Sequence, residues 1–194
     1  MILQADPAGG GSVFTSAASV IDVAQPADGI GYGGQIQLVA TGGRATVLGG
    51  LRGQGGAGLG GGLKVDAKYL QVDGNGFNPN ASLDVKLDAL ADRLLSGGLS
   101  GAIDIHSRAG NLTLSQGHTL KANAVALTAD DTTWNDFDPT RQFGQITIAG
   151  TIDASGYAGM TADGTGQAGG QVGIYGANQV TLASTSVINA STTH

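Results

Sequence analysis

The densest group of reactive side chains lies in ADDTTWNDFDPTRQFG, Ala129 to Gly144, which holds the only tryptophan and four carboxylates. Trp134 and Phe137 could stack on a sugar face or a protein surface while Asp136 and Asp138 bond hydroxyls. Asp130, Asp131, Asp136 and Asp138 could instead supply hard oxygens to Ca²⁺, although the D-x-[DN]-x-[DN]-G loop with its distant Glu is absent. Alternatively, the two rings fold back over an apolar flank. These readings stay open, and Trp134, Asp136, Phe137 and Asp138 are the ligand-binding candidates.

A second group appears when GGGLKVDAKYL is set beside GAIDIHSRAG, which places Lys64 next to Asp104 and Asp66 next to His106. Asp66, Asp104 and His106 could form an acid–base cluster for polysaccharide cleavage. A solvated ladder of opposite charges, about 0.2–1 kcal/mol per pair, needs no such task. No Arg or Lys is expected in a cleft beside them, so the ladder is the expectation. No catalytic residue, metal site or cofactor follows.

Other motifs carry less. Met160–Gly170, MTADGTGQAGG, lacks both the Lys-Ser/Thr ending of a phosphate loop and the register of a calcium-binding nonapeptide, and reads as a corner loop. His118 and His194 have no evident partners, and the sequons at Asn80, Asn111 and Asn189 need a glycosylating host. There is no cysteine, so disulfides and thiolate chemistry are excluded.

The elements that position these side chains follow from composition and repeats. Among 194 residues there are 35 glycines and few aromatics, and all 15 acidic residues are aspartate, which favours turns where glutamate favours helix. A net charge of −6 with nine scattered basic residues argues against nucleic acid. No apolar run reaches the roughly 18 residues of a membrane helix. The start lacks a signal-peptide pattern, and the strand-like end suggests a piece of a longer chain.

The apolar residues come in triplets. Val172/Ile174, Val180/Leu182 and Val187–Ala190 fall in the order and near the spacing of Ile103/Ile105, Leu112/Leu114 and Leu120/Ala122. Further copies are Ile36/Leu38, Ala45/Val47 and Leu51; Leu63/Val65 and Leu70/Val72, whose third strand is uncertain; and Val125/Leu127 resuming at Ile146/Ile148 and Ile152/Ala154. An incomplete copy ends at Ser19–Ala24. An apolar–variable–apolar triplet is a strand with one buried face, and three per copy joined at glycine describe one coil of a β-solenoid. The expectation is an all-β, parallel β-helix of about five to six coils across residues 1–194. The alternative, an antiparallel sandwich, needs strands of about five or six residues.

Two segments interrupt the plan. Residues 82–96 show Leu83, Leu87, Leu90, Ala91, Leu94 and Leu95 at helical spacing opposite Asp84, Asp88 and Asp92, with Ser82 as N-cap and Gly97 as stop. Such a helical insertion would cover apolar surface or dock a partner. The other interruption is the Trp134 segment, a loop projecting over residues 129–144.

GQITIAGTIDASG and GGQVGIYGANQVTLASTSVINAS resemble the repeats of filamentous haemagglutinin-type large exoproteins: a glycine pair, V-x-I, an L-T-L-like triplet, then I-D-A-S-G. The resemblance is good over Gly101–Leu127 and Gly144–Ser191 and weaker over Gly33–Gly53 and Gly61–Asn75. It implies a right-handed parallel β-helix, secreted to the bacterial surface through an outer-membrane β-barrel transporter (two-partner secretion). It also implies a non-catalytic adhesin that meets host or bacterial cell-surface proteins or glycans in adhesion, aggregation, biofilm or virulence. Asn78-Pro79-Asn80 matches the family's secretion-domain motif only in part and reads as a turn. The alternative from another class is a carbohydrate-binding or polysaccharide-cleaving β-helix protein.

Overall fold

The computed structural model describes residues 1–6, 8–26, 31–56, 60–74, 83–132, 143–155 and 170–191. In chain order the strands are β1 (Ile2–Gln4), β2 (Val13–Thr15), β3 (Val20–Asp22), β4 (Gln35–Val47), β5 (Gly50–Arg52), β6 (Gly62–Gln71) and β7 (Asp84–Lys86). Helix α1 (Asp88–Ser96) separates these from β8 (Ala102–Ser107), β9 (Asn111–Leu114), β10 (Thr119–Lys121), β11 (Ala124–Ala129), β12 (Gln145–Ile148), β13 (Thr151–Asp153), β14 (Gln171–Gly176), β15 (Gln179–Leu182) and β16 (Val187–Asn189). The molecule is mostly β, and all its strand pairs among the described residues are parallel. That rules out the antiparallel sandwich.

Among the described residues no strand pairs with its neighbour in sequence. The largest sheet runs β1-β4-β6-β8-β11-β14, with β2 also on β4; a second runs β7-β9-β12-β15 and a third β10-β13-β16, while β3 pairs with β5. From β8 onward each strand pairs with the one three places later. Register therefore aligns like with like: Ile103 with Val125 and Val172, Leu112 with Ile146 and Val180, Leu120 with Ile152 and Ile188. A one-residue slip would turn every apolar side chain outward, so the pattern itself holds the register.

Burial follows the alternation. Ile36, Leu38, Leu63, Val65, Ile103, Ile105, Val125 and Leu127 are buried, as are Ile146, Ile148 and Ile152. Along the C-terminal edge the same rows surface: Leu182 is 53% exposed and Ile188 40%. Two strands are longer than triplets. β4 and β6 continue through a register shift between Ala40 and Arg44, where the chain changes direction without breaking its ladder.

The helix begins later than its spacing predicts. Asp84–Lys86 is a strand on β9, Leu87 precedes the helix, and α1 ends at Gly97. Within Leu83–Leu87 the alternation of Val85 and Leu87 inward satisfies a strand as well as a helix, and pairing with β9 decides. Ser82 lies outside the described residues, and Leu95 is exposed rather than packed. Leu90, Ala91 and Leu94 face the core, and α1 packs against both β5 and β10. It thus stands between β5 and β10, where the third strand of that repeat is missing. Among the described residues no helix is long and apolar enough to cross a membrane.

Candidate functional site

On the outer face of the largest sheet, register sets Lys64 beside Asp104 and Asp66 beside His106, as the repeat alignment predicts. Lys64 Nζ lies 3.3 Å from Asp104 Oδ2, and both side chains are well exposed. His106 is less exposed and carries two carboxylates: Nδ1 is 3.6 Å from Asp66 Oδ1 and Nε2 2.6 Å from Asp130 Oδ2. The expected trio is therefore split. Asp104 serves the lysine, while Asp66 and His106 belong to a larger network.

Sequence reasoning missed two members of it. Arg108, just past β8, donates from Nε (2.6 Å) and Nη2 (2.9 Å) to the two oxygens of Asp66. Asp130, just past β11, closes the network on His106. The absence of a nearby basic residue was the wrong expectation. The signal was the alternation itself: Asp104, His106 and Arg108 continue one face at period two, and Asp130 continues Thr128, the register partner of His106. The face outlasts the apolar residues that mark the strand.

The forked guanidinium–carboxylate geometry is the strongest contact in the group. Partial burial alone would raise the Asp66 carboxyl, but the Arg108 hydrogen bonds and charge, helped by His106 and Lys64, outweigh it and hold Asp66 below the usual carboxylate range. Arg108 is raised in turn, chiefly by its bond to Asp66. An arginine-paired carboxylate makes a poor general acid. His106 Nε2 is held by Asp130, while Nδ1, 3.6 Å from Asp66, is within ion-pair distance but not hydrogen-bonded. The arrangement fastens three adjacent strands together.

Beside this network a groove of about 470 Å³ runs along a corner of the stack, lined by Ala8, Gly10, Thr41, Gly42, Lys68, Arg108 and Thr132. Successive repeats from the first to that of β11 line it, and backbone bonds hold the last three in register: Arg108 N donates to Ala67 O, Ala109 N to Lys68 O and Thr132 N to Arg108 O. Gly10 adopts a φ of 65°, and a Cβ at Gly43 would collide with Gly11 O, so this wall is bare backbone.

His118, expected to stand alone, lies 3.0 Å from Asp92 Oδ1 and 4.0 Å from Asp88 Oδ2 on α1. Its hydrogen bond to Asp92, aided by the charges of Asp88 and Asp92, raises its pKa. Asp88 also accepts from Ser115 N, so two of the three aspartates expected to form a solvent line tie α1 down. Asp153 accepts from Ser155 at the end of β13, the corner role its position suggests.

Trp134, Asp136, Phe137 and Asp138 lie outside the described residues, as do Asn78–Asn80, residues 156–169 and His194. Of the four carboxylates weighed for calcium, Asp130 is on His106 and Asp131 accepts from Asn178 Nδ2 at 3.0 Å. Among the described residues no cluster of three or more His and Asp could hold a metal ion. Compared with protein-family models, curated proteins and solved structures, the chain gives no match.

Proposed function

We propose that this chain is a segment of a parallel β-solenoid, right-handed and about six coils long, that forms the shaft of a secreted bacterial surface exoprotein. Its task is mechanical and adhesive: the stack is rigid, and its outer face, corners and insertions meet cell-surface proteins or glycans. The observation that carries this reading is the offset-of-three parallel pairing, which superposes like residues in successive repeats. One repeat cannot bury its own apolar row, so such units persist only by stacking. Export through an outer-membrane β-barrel fits a chain with no cysteine to cross-link before passage.

A polysaccharide-cleaving function has less support, since the one histidine–aspartate group on the sheet is engaged in fastening strands. Beads coated with the purified chain should adhere to epithelial or bacterial cells above albumin-coated controls. Adhesion at the albumin level would overturn the adhesive part. Small-angle scattering separately tests the shaft, which requires the distance distribution of a short rod. Turnover of acidic polysaccharide lost in His106→Ala would replace the proposal with the enzymatic reading.

A further inference from the structure

We draw no further inference here: the strongest candidate, the edge of β15 and β16 that is unpaired among the described residues and leaves Val180, Leu182, Val187 and Ile188 exposed, carries nothing because nothing in the structure shows what covers it.

Discussion

Truncating one row of the stack at two depths measures whether the repeats bury one another. Ile148 is fully buried on β12, paired in register with Leu114 on one side and Leu182 on the other. Ile148→Ala removes three carbons, about 2.4 kcal/mol at roughly 0.8 kcal/mol per buried CH₂, and the residual cavity brings the expected loss to about 3–4 kcal/mol. Leu182→Ala deletes the same number of carbons from the same row, but that side chain is already 53% exposed. Half the transfer energy and no enclosed cavity leave about 1 kcal/mol. Urea unfolding followed by circular dichroism should show this threefold difference with unchanged m values. An Ile148→Ala loss under about 1 kcal/mol would remove Ile148 from the core and refute the register. Equal losses at both positions would mean that the row is covered at β15 in solution, so that the edge is not open. Ile148→Asp, which puts an unpaired carboxylate into the row, should give no folded protein.

Arg93 Nη2 donates to Val47 O (2.6 Å) and Val72 O (2.8 Å), so Arg93→Ala strands two carbonyls and should cost about 2–4 kcal/mol in the same urea assay; a loss within experimental error would show that water replaces the guanidinium. His118 has a raised folded pKa, so its contribution is complete below the unfolded value and fades as pH rises through the folded one. The opening free energy of the α1 amides, from exchange rates corrected for their intrinsic pH dependence, should therefore fall as pH rises above the free imidazole value of about 6.5, and Asp92→Asn should flatten that dependence; a flat corrected profile in the unsubstituted chain contradicts the tie. Asp66 has the opposite sign: its depressed pKa stabilises above the unfolded value, and the contribution disappears as pH falls through the folded one. Acid titration of Asp66→Asn should accordingly show less stability lost between about pH 5 and 2 than the parent, and an identical acid limb would exclude Asp66 as a source.

The inward half of the molecule was legible because periodicity and burial are the same fact in a parallel stack. Ile103, Val125 and Val172 were assigned to one row from spacing alone, and the register agrees. Lys64–Asp104 and Asp66–His106 came with it, since fixing the inward residues fixes their outward neighbours. What failed lay where local signals tie. Leu83 to Leu87 satisfies both the helical and the strand period, and only the presence of β9 alongside resolves it. Arg108 and Asp130 lie one step beyond the apolar triplets, where no inward residue marks the continuing outer face.

That failure has a physical pattern. Along the parallel ladders most inward residues meet an apolar residue of the neighbouring strand, so a polar residue fits poorly there. At a corner the chain must turn, glycine removes side chains, and the residues on either side are freed from the apolar row. Asp66, His106, Arg108 and Asp130 use that freedom to fasten three strands, and in doing so they set Arg108 at the edge of a groove. The helix solves the same problem on another face. Where a repeat lacks its third strand, α1 supplies Leu90, Ala91 and Leu94 to the core, and Arg93, Asp88 and Asp92 bind it to its neighbours. A helix cannot extend a parallel ladder, so these side-chain bonds take over the tethering that backbone pairing gives every other layer. Substitutions at Arg93 should consequently loosen α1 before they disturb the strands. Exchange of the α1 amides ahead of those in β8 and β11 is the order this reasoning requires; simultaneous exchange would show that the helix and the ladder open as one unit.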